Sequence, residues 1–352
     1  MTASSRKIGL ALSGGGFRAM AFGLGAMRAL HDQDLLSSVR VVSGISGGSV
    51  LAAMWAYGPS DFDAFDLNVR RLLRKGLQAE LARRAFNPAA VARSTAAAVE
   101  GAWLGRPRAF SRTEALARAL RGRGLDVAMD AVNRTDLDTV ITATDLSRGH
   151  AVRFGSKASS SWSLGRITDD VTVADAVAAS AAFPLLLPAL VRRYEFEDRN
   201  GAKTRTKLAL TDGGVYDNLG VTPLLPGRSA DHTAHVYDLD TVIVVDSGRG
   251  QYRRTPASHL PRRAAQTFGI AHGRAQDGTR SRLHQHAADL DGMLHIYLGT
   301  HDRKLPPIAD LVPRDTIAHY PTNFAKMPGD KLEALSVRAE QVTRTLAAEY
   351  LR

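Results

Sequence analysis

The sequence predicts one α/β domain, and three observations carry that expectation. The chain opens on a strand–helix–strand pattern, its later part holds several continuous apolar runs of strand length, and no shift in composition is sharp enough to divide it. At 352 residues with 44% hydrophobic content it can bury a substantial core.

The elements follow in order. A strand at about 7–12 leads through three glycines into a helix at about 17–30, and a second strand spans about 40–43. A helix from Gly47 to about Tyr57 is stopped by "GPSD". Residues 61–135 read as basic helices forming a helical insertion or lid. They include the Ala-rich "AAVARSTAAAVEGAW" and a helix opened by the capping box "SRTE", where Ser111 and Glu114 stand three apart. "TVITATDL" (139–146) and "AVRFG" (151–155) read as strands, and "TVADAVAASAAF" (172–183) as a buried helix ended by Pro184. "LVRRYEFED" and "KTRTKLALTD" flank "RNG" as a hairpin, and "DTVIVVDSG" and "GMLHIYLG" are buried strands. Leu332, Leu335, Val342 and Leu346 set an amphipathic helix over 330–352.

Composition narrows the function. With no cysteine there is no disulfide framework, thiol nucleophile or Cys-ligated metal. Ile8 to Leu12 is too short for a signal-peptide core, and no 18 apolar residues run together. The net charge of +11 favours an anionic partner, either nucleic acid, acidic lipid headgroups or an acidic protein. The basic runs are spread along the chain, and aromatics, 6% of residues, do not interleave with them, so nucleic acid is not expected.

Two glycine-rich turns bear on chemistry. In "GLALSGGGFRAMAFG" the bare N–H groups of Gly14, Gly15 and Gly16 open a helix, where they can hold a bound phosphate or a reaction's oxyanion. The phosphate readings lack parts they need: no Lys-Ser/Thr pair follows the glycines, and the second strand ends in "VVSGISGG" instead of an acid. In that second turn Gly44, Ser46 and Gly48 fit GxSxG between an apolar strand and a helix, which exposes a serine Oγ, and the Gly47 N–H can donate to an oxyanion.

A serine nucleophile needs a base. Asp212, in "LALTDGGVYDNLG", and Asp246, in "TVIVVDSG", both stand at strand ends. With Asp246, any of His259, His272, His284, His286, His295, His301 or His319 completes a Ser-Asp-His order, and none lies in a distinctive motif. "HQH" (284–286) and "AHGR" (271–274) lack metal-ligand spacing, so neither metal nor cofactor is expected.

Taken together, "SGGGFRA" (13–19), "GISGG" (44–48), "ASAAFP" (179–184) and "DGGVYDNLG" (212–220) resemble the patatin-like phospholipases of bacterial type, with kinship to the cytosolic phospholipase A2 catalytic domain. The resemblance covers most of 7–225, and 226–352 then completes the same single domain. It implies a three-layer α/β/α fold with a mainly parallel central sheet and additional helices. It also implies a Ser-Asp dyad cleaving lipid esters without a catalytic histidine. By position, Ser46 is the nucleophile, with Gly44 and Gly48 at the elbow. Asp212 is the base, with Gly213 and Gly214 completing the DGG motif, and Gly14, Gly15 and Gly16 with Arg18 form the oxyanion-hole loop. Arg18 is left three roles: orienting the loop, meeting a lipid phosphate, or pairing within the fold. Ala19 stands where many patatins have Gly, as in the A2-like branch. The resemblance implies a lipid ester substrate, an anionic membrane surface as partner and a cytoplasmic, peripherally membrane-associated protein, with export by a non-Sec route and the oligomeric state open. The rival functions are a general esterase, thioesterase or acyltransferase on the same site, and a non-catalytic nucleotide-binding signalling module.

Overall fold

The computed structural model describes residues 6–85, 111–184, 186–250 and 255–351. The Ala-rich helix expected around 89–103 lies outside them.

The opening is the expected unit. β1 (Ile8–Leu12) runs into α1 (Gly16–Asp32), β2 (Val39–Gly44) and α2 (Gly47–Ala56). Three helices follow among the described residues, α3 (Phe62–Lys75), α4 (Gln78–Ala85) and α5 (Arg112–Leu120), and Ser111 caps the last by accepting the Glu114 N–H at 3.1 Å. Beyond them come β3 (Asp138–Asp145), β4 (His150–Gly155), the very short β5 (Ser160–Ser161) and β6 (Gly165–Ile167), and α6 (Val173–Ser180). The hairpin β7 (Leu190–Glu197) and β8 (Lys203–Asp212) is followed by β9 (Thr241–Asp246), α7 (Leu260–Gln285), β10 (Gly292–Tyr297) and α8 (Gly329–Tyr350).

The strands form one sheet in the order β10-β9-β1-β2-β3-β4-β5-β6-β7-β8. Its centre, from β10 to β3, is parallel, and β1 and β9 are buried on both faces, which is why they read as unbroken apolar runs. The remaining strands are antiparallel and close on themselves, because β8 returns to pair with β3. β3 therefore shares one edge between two partners. Val41 to Gly44 of β2 pair with its residues 138–141, and Leu210 to Asp212 of β8 pair with its residues 143–145.

Helices cover one face with the larger core, which joins α1, α2, α3, α5, α6 and α8 to the sheet. The other face is covered more thinly, by Leu219, Val221, Leu224 and Leu225 of a short connection and by Leu283 near the end of α7. Arg192 of β7 pairs with Asp175 of α6 at 2.9 Å and Glu114 of α5 at 2.8 Å, fastening both helices to the antiparallel arm. No helix among the described residues is long and apolar enough to cross a membrane.

α1 is buried almost all round because α8 crosses its outer side, and the crossing is tightest at Gly25, where a Cβ would stand 2.0 Å from the Ser336 carbonyl oxygen. Gly25→Ala is therefore expected to lower the unfolding free energy by about 1–3 kcal/mol by overpacking, outweighing the gain of about 1 kcal/mol in helix propensity. A urea midpoint equal to or above wild type contradicts so close a crossing.

Candidate active site

Ser46 sits between β2 and α2 with φ 50° and ψ −118°, a strained conformation for a residue with a Cβ. The turn is held from three directions. The Ser46 N–H donates to Ser180 Oγ at 3.0 Å, its carbonyl accepts the Ser49 hydroxyl at 2.6 Å and N–H at 3.0 Å, and the Ile45 N–H donates to the Leu12 carbonyl at 3.1 Å. Gly44 and Gly48 flank it in tight contact with neighbouring backbone, and a Cβ on Gly47 would come within 2.1 Å of the Gly16 carbonyl oxygen. The two glycine turns thus pack backbone against backbone.

Asp212 ends β8 and is 2% exposed. Its N–H donates to the Ala182 carbonyl at 3.0 Å, its carbonyl accepts the Thr144 hydroxyl at 3.0 Å, and Oδ1 accepts the Gly214 N–H at 2.7 Å. Oδ2 is buried with no hydrogen-bond partner among the described residues. Burial pushes the carboxyl up to about 7, opposed by the Gly214 N–H and by the Ser46 hydroxyl, which approaches it without completing a hydrogen bond of regular geometry. Gly213 fits where a Cβ would meet the Thr142 carbonyl oxygen at 2.0 Å, in the gap between the β2 and β8 pairings of β3.

The glycine turn after β1 is tied down at both ends. The Gly14 N–H donates to the Asn218 carbonyl at 2.9 Å, and its carbonyl accepts the Ser247 hydroxyl at 2.8 Å. Arg18 fastens the turn through Nε to the Ser247 carbonyl at 3.0 Å and Nη1 to the Tyr320 carbonyl at 2.8 Å. The Gly14 N–H is thereby spent, whereas the N–H groups of Gly15, Gly16 and Gly47 make no hydrogen bond among the described residues.

The rival acid has a different environment. Asp246 accepts from Arg280 at 2.8 Å, His295 Nε2 at 3.2 Å and the Gly248 N–H at 2.8 Å. Burial alone would raise its pKa, but His295 and Arg280 more than offset this and hold it well below the usual carboxylate range. Among the candidate histidines only His272 lines the cavity at Ser46, and its Nδ1 has no hydrogen-bond partner among the described residues. No hydrogen-bonded Ser-His-Asp chain is present among the described residues, and neither is a group of three or more residues able to hold a metal.

Three residues that position the site escaped sequence reasoning. Ser180 lies within "ASAAFP", Asn218 within "DGGVYDNLG" and Ser247 after the strand-end Asp246. The signal for the first two was the motif itself, while Ser247 carried only its place at a strand end.

Ser46 and Asp212 line a cavity of about 1070 Å³ whose apolar wall includes Leu81, Phe183, Leu186, Leu187, Ile270 and Phe324. A parallel-centred sheet, a strained serine at a strand–helix elbow and a buried carboxylate beside it define a class of α/β proteins with hydrolase-like geometry. The chain belongs to the patatin-like phospholipase family, whose model matches residues 10–225.

Among solved structures it is similar to human GIVD cytosolic phospholipase A2, at 14% identity and a TM-score of 0.55, covering 98% of this chain and 61% of that one. It is also similar to that protein in complex with methyl gamma-linolenyl fluorophosphonate, at 14% identity and a TM-score of 0.52 over 98% and 58%. VipD from Legionella pneumophila aligns at 15% identity and a TM-score of 0.37 over 98% and 67%. The chain thus spans 61% of the length of the cytosolic phospholipase, and at 14% identity the likeness is one of fold. No curated protein matches the sequence.

The Asp212 carboxyl binds its proton more tightly folded than unfolded, so between about 4 and 7 the native state holds more protons and stability falls as pH rises. Asp212→Asn removes that fall. Its Tm relative to wild type is expected to be higher at pH 8 than at pH 5; an offset independent of pH contradicts the raised pKa.

Proposed function

We propose that this protein is a serine lipid acyl hydrolase, a phospholipase A or lysophospholipase, cleaving carboxylic esters of glycerophospholipids through an acyl-enzyme. The observation that carries the reading is the strained Ser46 beside a buried carboxyl with one open oxygen, Oδ2 of Asp212, and a pKa close to neutral. Family membership and the apolar cavity support the choice of a lipid substrate.

In this mechanism Asp212 accepts the Ser46 hydroxyl proton as Oγ attacks the ester carbonyl carbon. The free N–H groups of Gly15, Gly16 and Gly47 stabilise the tetrahedral oxyanion, and Arg18 keeps their loop in place. Collapse expels the lysolipid alkoxide, which takes the proton from Asp212. Water then attacks the acyl-enzyme, passing its proton to Asp212, and Oγ leaves with that proton as the fatty acid is released. The chemistry calls for no cofactor. Asp246, engaged by Arg280 and His295, is left out of the reaction.

We further assign the whole chain to one domain, because β9 and β10 of the 226–352 region extend the same sheet as β1. α3, α4 and α5, the described helices within 61–135, belong to its helical insertion or lid, and residues 86–110 lie outside the described residues. The net charge of +11 supports a cytoplasmic, peripheral association with anionic membranes.

Ser46→Ala and Asp212→Asn are each expected to lower hydrolysis of a phospholipid substrate by about 10⁴. The thiolester and acyl-transfer alternatives are separated by assaying phosphatidylcholine, lysophosphatidylcholine, a short-chain ester and a thioester side by side. Turnover near wild type in either variant contradicts the dyad.

A further inference from the structure

α7 is anchored at one end only. Its last turns are fixed by buried Thr279 and Leu283, by Arg280 on Asp246 at 2.8 Å, and by His284 against His295 at 3.3 Å. From Leu260 to Gly278 no residue is buried. Among the described residues that arm, about 28 Å long at the helical rise, meets the body by an edge contact of Phe268 with Phe183 and by its inward side, which lines the cavity, while Gln266 bonds Thr255 and Ala257 of the segment leading into the helix. A helix this poorly packed gains little from tertiary burial, and its exposed side is available to a partner.

The composition of the arm states what that partner is. α7 carries five arginines and one acid, Asp277, which is already paired with Arg280 at 2.7 Å. Arg262, Arg263 and Arg274 have no acidic partner among the described residues. Leu260 is 77% and Ile270 54% exposed, among the most exposed apolar side chains described. At 100° per residue, Leu260, Arg263, Thr267, Ile270 and Arg274 fall in one stripe less than about 90° wide. That stripe runs beside the face of α7 that lines the cavity, and Ile270 and Arg274 belong to both. Apolar residues interleaved with arginines on an exposed helix match the boundary between acyl chains and phosphates in a bilayer. A second copy docking through the same stripe in a two-fold contact would instead set arginine against arginine.

We propose that the α7 arm is the surface that seats this protein on an anionic bilayer. Leu260 and Ile270 enter the interfacial layer, Arg263 and Arg274 meet lipid phosphates, and the mouth of the Ser46 cavity is brought against the leaflet that supplies its substrate. The proposal rests on the lipid-hydrolase reading and specifies the face that reading left open.

The test is partition onto vesicles of phosphatidylcholine with and without phosphatidylglycerol, using the full chain. Wild type is expected to bind only the anionic vesicles, and less as salt is raised. Replacing Arg263 by Gln is expected to weaken that binding about 5-fold, from roughly 1 kcal/mol per arginine. Hydrolysis of a soluble monomeric ester is expected to stay unchanged, because Arg263 does not line the cavity. Partition of the Arg263→Gln variant within about twofold of wild type overturns the proposal. So does a change in oligomeric mass by light scattering with vesicle binding intact, which would assign the stripe to a second copy. Failure of the parent reading shows separately, as absence of Ser46-dependent hydrolysis of the soluble ester in wild type.

Discussion

The site depends on one shared strand edge. β3 gives its first residues to β2 and its last to β8 on the same side, so the ends of those two strands meet in the plane of one sheet. Ser46 follows the end of β2 and Asp212 is the end of β8. Nothing in the chain between them needs to be rigid for this meeting, provided the antiparallel arm closes. Closure is completed by the hairpin of β7 and β8, and by Arg192, which locks that arm to α5 and α6.

The end of α6 then couples the two sides. Ser180 accepts the Ser46 N–H and, through its carbonyl, the Gly213 N–H at 3.2 Å, while the Ala182 carbonyl accepts the Asp212 N–H. One turn of backbone thus fixes both the serine and the carboxylate. Asp212 and Asp246, both buried at strand ends, are held in opposite protonation regimes. Asp246 is surrounded by an arginine, a histidine and a backbone donor and is held well below the usual range, whereas Asp212 has one backbone donor and is pushed up to about 7. Saturating a carboxylate suits it to structure; under-satisfying it suits it to taking up a proton.

Much of this was legible in the sequence where the physics is local. Doubly buried parallel strands read as apolar runs, Ser111 and Glu114 announced their cap, and small residues at 44–48 marked a crowded elbow. The ring closure was not legible, since β5 and β6 are too short to carry a period of two. α7 went unread because a helix with two buried residues in 26 has no core stripe to display. Residue-level reading left Asp212 and Asp246 both open as strand-end acids, and within the sequence only the resemblance carried by "DGGVYDNLG" pointed to Asp212. Ser247 and Ser13 are linked across 234 positions, a bond no local pattern encodes.

The central claim is that Asp212 activates Ser46 by taking its proton. The most direct measurement is the rate at which a long-chain fluorophosphonate modifies the protein as a function of pH, with the modified residue located by mass spectrometry. The expected result is modification at Ser46, with a rate that rises with pH through a midpoint near 7 and is lost in Asp212→Asn. Modification at another residue, or an Asp212→Asn rate equal to that of wild type, would contradict it.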